Sequence, residues 1–298
     1  MIDNFLRYLE DELAYSPHTL LSYRKDLEDW RAFVAPQAVR FNPMDVTTND
    51  TRAWVANMSA NGKSAATIKR RLSAVRSLYH YMIRRHGATV NTATSISINR
   101  RSKSLPKFID RNEMSGVLDI LDNEASVAND FESVRNDLII NMLYQTGMRA
   151  SELTELTDER VLRQRNELKV LGKRNKERII PYGETLATMI DRYLAIRPGE
   201  AGGQRPFFIT EKGEPIKYNH LNAIVHHSLD GRVSSPKRSP HVLRHTFATD
   251  MLNCGADLTS VRKLLGHESL ATTQIYTHVS VKELRDDYLK AHPRSKGS

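Results

Sequence analysis

Cysteine is almost missing from this chain of 298 residues. Cys254 stands alone, so no internal disulfide can form and no zinc site can be built on thiolates. Long apolar runs are missing too, and nowhere do the ~20 apolar residues of a membrane-spanning helix follow one another. The opening Met-Ile-Asp-Asn-Phe-Leu-Arg has no basic segment leading into an apolar one, which speaks against a secretory leader. Repeats of about 20–50 residues and low-complexity tracts are absent as well. These absences point to a reducing compartment, with a cytoplasmic location and no membrane partner expected. With 40% hydrophobic and 27% charged residues the chain can bury ordinary cores, as one large domain or two smaller ones.

One further absence is local. Residues 51–109 contain no aspartate or glutamate but hold twelve bases: Arg52, Lys63, Lys69, Arg70, Arg71, Arg76, Arg84, Arg85, Arg100, Arg101, Lys103 and Lys107. The chain as a whole carries a formal +9, and this stretch accounts for all of the excess. Basic clusters of this kind attract polyanions and commonly mark nucleic-acid binding. A merely solvated helix face is the bland alternative. The lack of interspersed acids for i,i+4 pairing favours nucleic acid.

Periodicity predicts helices over residues 1–98. Ser16-Pro17 has the form of a cap followed by proline at the first helical position, and Leu20, Tyr23, Leu27, Trp30 and Phe33 then recur on one face. Thr48 or Asn49 is placed to cap a second helix carrying Trp54, Val55 and Met58. A third starts near Ser64 and turns Ile68, Leu72, Val75, Tyr79 and Met82 inward, leaving Lys69, Arg70, Arg71 and Arg76 as a basic stripe suited to a DNA groove. Residues 99–107 read as a basic linker broken by Pro106. Beyond it, helices are expected after Asp110 or Asn112, through Val134–Tyr144 to Gly147, and at 184–196, 219–229, 240–253, 257–265 and 269–276. Residues 168–182 read instead as a β-hairpin around Gly-Lys-Arg-Asn, and Gly255 and Gly266 sit where helix C-caps belong.

Three segments carry candidate chemistry: Thr146-Gly147-Met148-Arg149-Ala150-Ser151-Glu152-Leu153, Ser239-Pro240-His241-Val242-Leu243-Arg244-His245, and the run from Leu265-Gly266-His267 to Tyr276. Paired arginines with His, Lys and Tyr, and no carboxylate cluster, suit work on a phosphodiester. Guanidinium forks match phosphate oxygens, and a tyrosine hydroxyl needs cationic surroundings to act as a nucleophile. Singly, each signal is weak. His-x-x-Arg is often a surface pair, and a tyrosine usually fills a core edge. His245, His278 and the His226-His227 pair are assigned no chemistry, and Cys254 is expected to be a small buried hydrophobe.

In combination, Arg149, then Lys173 in Gly-Lys-Arg-Asn-Lys-Glu-Arg, His241-x-x-Arg244, Gly266-His267 and Tyr276 resemble the tyrosine recombinase family in order and spacing. The basic N-terminal region, with its Ser-Pro-x-Thr-Leu-x-x-Tyr pattern, is similar to the core-binding domain of that family. The overall length and the closing Ala291-His292-Pro293-Arg294 resemble its Xer type. The resemblance implies a mainly α protein with a small β-sheet, forming a two-domain C-shaped DNA clamp. Residues 1–98 would be the helical core-binding domain, 99–107 the linker, and 108–298 a mixed α/β catalytic domain with a C-terminal docking segment. It implies that Arg149 and Arg244 hold the scissile phosphate and that Lys173 protonates the departing 5′ oxygen. His241 then assists proton transfer, His267 hydrogen-bonds the phosphate, and Tyr276 is the nucleophile. No metal, ATP or other cofactor is implied.

The implied partners are double-stranded DNA recombination sites and a homotetramer or a heterotetramer with a related recombinase, with a septal DNA translocase as a further candidate. The run Val281, Leu284, Tyr288, Leu289 fits docking on a neighbouring protomer, or packing on its own domain. Val242 departs from the family's usual Lys and Arg174 from its usual glycine, and Val90-Asn91-Thr92-Ala93 lacks a proline common there. Chromosome and plasmid dimer resolution is the leading role. A mobile-element integrase, a DNA invertase and a catalytically silent DNA-binding protein remain as alternatives. The presence of all six groups argues against the silent protein, and the lack of an extra arm-binding domain argues against a large phage-type integrase.

Overall fold

Three of the four helices described in the N-terminal part begin at a side-chain cap. The computed structural model describes residues 1–37, 40–98, 108–172, 177–199 and 202–266, together with Tyr288. The chain divides into two compact units, Met1–Lys103 and Ser104–Ser298. The stretch 99–107 lies outside the described residues, as do the helix expected at 269–276 and the C-terminal segment apart from Tyr288.

In the first unit, α1 (Ile2–Asp11) precedes α2 (Pro17–Val34), where Ser16 Oγ accepts from the Thr19 N–H at 3.3 Å and Pro17 opens the helix. The cap of α3 (Thr48–Ala60) is Thr47, one residue earlier than expected. Its hydroxyl accepts from the Asp50 N–H while Asp50 accepts from the Thr47 N–H at 2.9 Å, a reciprocal box that neither Thr48 nor Asn49 could form. Ser64 caps α4 (Ala65–His86), which ends on Gly87 in the left-handed conformation. Ile68, Leu72, Val75, Tyr79 and Met82 are all buried as their spacing predicts. They pack with Phe5, Leu9, Leu27, Trp30 and Trp54, while Phe33 stays largely exposed.

The second unit is arranged around α6 (Phe131–Thr146), against which α5 (Arg111–Ala128), α8 (Glu184–Ile196), α9 (Tyr218–Leu229) and α10 (Pro240–Asn253) pack. From Leu138 to Thr146 the central helix is buried on every side, so its polar residues must find partners inside. Asn141 donates to Asp137 Oδ1 at 2.8 Å, Gln145 donates to Asn141 Oδ1 at 3.1 Å, and the Tyr144 hydroxyl donates to Asp250 Oδ2 at 2.9 Å. The short α7 (Ala150–Thr154) follows the Gly147 turn, and α11 (Leu258–Leu265) ends on Gly266.

The expected hairpin is present as β2 (Glu167–Leu171) and β3 (Glu177–Pro181), antiparallel, with Leu168 opposite Ile180 and Val170 opposite Arg178. A two-residue strand not anticipated from sequence, β1 (Val161–Leu162), pairs with β2 and completes a three-stranded sheet. The described elements are thus mainly helical with one small sheet. Tyr288 is buried in the core of its own unit. No helix among the described residues is long and apolar enough to cross a membrane. His226 and His227 are exposed, and Cys254 is half-buried, its sulfur 3.4 Å from Arg111 Nη1.

Gly147 joins α6 to α7 at φ +59°, and a Cβ there would lie 2.3 Å from Cδ1 of Phe247. Both the backbone region and the space therefore demand glycine. Gly147→Ala is expected to lower stability by about 2 kcal/mol or more. Adding Phe247→Leu should return part of that loss, measured as the urea midpoint of both variants.

Candidate active site

The turn at Gly147 releases the chain from α6 and sets Arg149 at the start of α7 in extended conformation, with Glu152 three residues on. Glu152 is buried and reaches back, accepting from the Arg149 N–H at 2.7 Å through Oε2 and from Arg149 Nη1 at 2.7 Å through Oε1. Strand β3 brings in Arg178, whose Nη1 donates to Oε1 at 2.7 Å and whose Nη2 donates to Oε2 at 2.8 Å. Each carboxylate oxygen thus accepts two hydrogen bonds. Burial alone would raise the pKa of Glu152, yet the donors from Arg178 and Arg149 outweigh it and hold the carboxyl below its ordinary 4.5.

Arg244 comes from the first turns of α10 and is nearly buried. Its Nη1 donates to the Gly147 carbonyl at 2.6 Å and its Nη2 to the Leu265 carbonyl at 2.5 Å. Burial first, and then the like charges of Arg149 and Arg178, push its pKa down to about 10, while Glu152 opposes the shift. It still carries its charge at neutral pH. Arg149 reaches the same helix end, with Nη2 donating to the Gly266 carbonyl at 3.1 Å. Three guanidinium groups therefore converge around one carboxylate, leaving a local surplus of positive charge suited to an anion such as a phosphodiester.

The structure brings Arg149 and Arg244 together. His241 occupies the second position of α10, exposed and one turn before Arg244. Lys173, His267 and Tyr276 lie outside the described residues. Val242, where the family's pattern has Lys, is turned into the core. Glu152 and Arg178 were assigned no role from sequence, although both stand inside the motifs quoted for Arg149 and Lys173. A signal for Arg178 did exist. It faces buried Val170 across the hairpin, and an arginine on the inner face of a sheet requires an internal anion.

The basic stripe of α4 is partly engaged within its own unit. Residues 51–109 hold no acid, but α2 supplies acids from outside the stretch. Asp26, itself buried, pairs with Arg70, and Asp29 pairs with Arg71. Arg76 is committed to main chain, donating to the Ala93 carbonyl at 3.0 Å and the Ile96 carbonyl at 2.6 Å. Arg71 and Arg76 are thus drawn into the fold, whereas Lys69 stays exposed and Arg70 remains half-exposed beside its acid. Sequence spacing along one helix could not show that a neighbouring helix carries the counter-charges.

Two family profiles match this chain: phage integrase family over residues 107–283, and phage integrase, N-terminal SAM-like domain, over residues 2–86. The tyrosine recombinase XerC of Staphylococcus saprophyticus is 35% identical over 293 residues, covering 98% of this chain and 97% of that protein. XerC of Listeria innocua is 34% identical over 297 residues, covering 98% and 97%. Among solved structures, the XerH site-specific recombinase bound to difH substrate, a pre-cleavage complex, superposes with a TM-score of 0.67 at 21% identity, covering 96% of this chain and 83% of that one. That likeness extends to the fold.

Because Glu152 is the buried counter-charge to two arginines, Glu152→Gln is expected to cost about 3 kcal/mol or more at neutral pH. The carboxyl is held below 4.5 in the folded state, so its contribution is present above that pH and is lost as pH falls through the folded value. The stability gap between wild type and variant should therefore narrow below pH 4.5, as urea denaturation at a series of pH values would read directly.

Proposed function

The chain belongs to the phage integrase family of tyrosine recombinases, in its Xer branch, and on that premise we propose that it exchanges strands between two duplex DNA sites through 3′-phosphotyrosyl intermediates and a Holliday junction. The observation that carries this reading is the pair Arg149 and Arg244, fixed side by side on consecutive carbonyls at the end of α11 with only partial neutralisation by Glu152. Such donors stabilise charge that grows on the non-bridging oxygens of a phosphodiester under attack, and they need little reorganisation to do so.

In this scheme the Tyr276 oxygen bonds to phosphorus and the P–O5′ bond breaks. The departing oxygen takes a proton from Lys173, His241 assists proton transfer, and His267 donates to the phosphate. Attack by a 5′ hydroxyl from the partner site reverses the step and frees the tyrosine. The phosphodiester energy is kept in the phosphotyrosyl bond, so the scheme draws on no ATP and assigns no step to a metal. Residues 1–98 would grip the DNA as a core-binding domain, joined through 99–107 to the catalytic domain at 108–298. Resolution of chromosome or plasmid dimers in the cytoplasm, by a homotetramer or with a related recombinase and under a septal DNA translocase, is the biological role this reading favours.

Incubated in EDTA with nicked duplexes carrying candidate sites from its own genome, the protein should form an SDS-resistant adduct that Tyr276→Phe abolishes. An adduct that survives the substitution would move the nucleophile elsewhere. Within the first unit, Lys69→Ala should weaken DNA binding, lower its salt dependence by about one unit of slope, and leave the melting temperature alone. Arg76→Ala should instead destabilise the unit, because it strips hydrogen-bond donors from two carbonyls.

A further inference from the structure

Three consecutive carbonyls at the C-terminal end of α11 accept hydrogen bonds from three different arginines. Leu264 accepts from Arg178 Nε at 2.8 Å, Leu265 from Arg244 Nη2 at 2.5 Å, and Gly266 from Arg149 Nη2 at 3.1 Å. Carbonyls in the last turn of a helix lack intrahelical partners and carry the negative end of the helix dipole, so they orient guanidinium groups without cancelling their charge. Two of these arginines are the phosphate ligands of the proposed reaction. The third, Arg178, is different in kind.

All three nitrogens of Arg178 point into the protein, two to Glu152 and one to Leu264, and its side chain is only 13% exposed. Its guanidinium also lies against Gly266, which has φ +63°; a Cβ there would come within 3.2 Å of Arg178 Nη1. Arg178 has another effect on Glu152. A lone Arg149–Glu152 pair would close as a two-pronged ion pair, with both Arg149 terminal nitrogens on the carboxylate. Arg178 already donates to each carboxylate oxygen, so Glu152 receives the Arg149 main-chain N–H and a single side-chain nitrogen. Arg149 Nη2 is left reaching toward the end of α11.

We propose that Arg178 is a positioning residue for the phosphate site: it ties Glu152 and the end of α11 into one frame and keeps Glu152 from capturing the Arg149 fork, without itself touching substrate. The proposal rests on the recombinase reading above. Lysine cannot replace it, because an ammonium is a point charge that does not span both carboxylate oxygens and a carbonyl.

The test is single-turnover adduct formation by the full chain at saturating nicked duplex, using sites on which the wild type reacts. Wild type, Arg178→Lys and Arg178→Gln are compared on two substrates, with DNA affinity and melting temperature measured alongside. One substrate has the ordinary scissile phosphate. The other has a methylphosphonate there, in which a methyl replaces one non-bridging oxygen and the negative charge is gone. Arg178→Lys should slow the phosphodiester reaction by about 10- to 100-fold with DNA affinity held. Its slowing relative to wild type should be much smaller on the methylphosphonate, because a neutral centre asks less of the two guanidinium groups. Equal slowing on both substrates, in step with the melting temperature, would mean a merely structural role and would overturn the proposal. So would full rescue by a 5′-bridging sulfur leaving group, which needs no proton donor and would place the defect at the hairpin. Failure of the wild type to form any adduct would remove the recombinase reading itself, and this proposal with it.

Discussion

The buried carboxylate of Glu152 is the constraint on which the second unit's chemistry depends. Three guanidinium groups close together, one of them nearly out of water, repel one another and resist burial. The fold accommodates them with a single full negative charge and several partial ones. Glu152 takes four donors, and the carbonyls of Gly147, Leu264, Leu265 and Gly266 take the rest. These acceptors come from α7, from the turn that ends α6 and from the end of α11, while the donors come from α7, β3 and α10. Helices and hairpin far apart in sequence are thus pinned at one point, and the hydrophobic packing around α6 brings them within reach.

Both glycines at this point serve close approach. Gly147 lets Phe247 pack against the turn whose carbonyl holds Arg244, and Gly266 leaves room for the Arg178 side chain. A substitution at either position would act on the arginines through backbone and space. The two glycines are therefore part of the electrostatic arrangement as much as of the chain's geometry.

Much of this was legible in the sequence, and the parts that were not share a cause. Helical periodicity located the inward faces of α2 and α4, cap residues located Ser16 and Ser64, and β-prone runs around a glycine turn located the hairpin. Those signals are local. The motif carrying Arg149 and Arg244 was legible because its residue types are unusual in combination. What was missed depends on which elements become neighbours. Asp26 and Asp29 lie more than forty residues from the arginines they pair with. The hairpin register marks Arg178 as an inward arginine, but its partners show only once β3 is laid beside α7 and α11. Two-residue β1 is too short to carry a period. Thr47 supplanted Thr48 because a reciprocal bond with Asp50 decides the cap, and a hydroxyl alone does not.

The different treatment of arginines in the two units follows from what each must do. In the first unit, Arg71 and Arg76 are used up by an acid and by carbonyls, so they hold α4 against α2 and the chain after it, and the residues left to meet a polyanion are the exposed ones. At the site in the second unit, Arg244 donates to two carbonyl oxygens, while Arg149 and Arg178 each combine one carbonyl with the shared Glu152. A carbonyl fixes the direction of a guanidinium through partial charge and leaves most of its field intact, whereas a dedicated carboxylate would cancel it. On the proposed reading, a site that waits, oriented and still positive, for a phosphate is served by the first kind of partner. Burial and the like charges of Arg149 and Arg178 lower the pKa of Arg244, and an anion placed among the three guanidinium groups would offset the repulsive part of that shift.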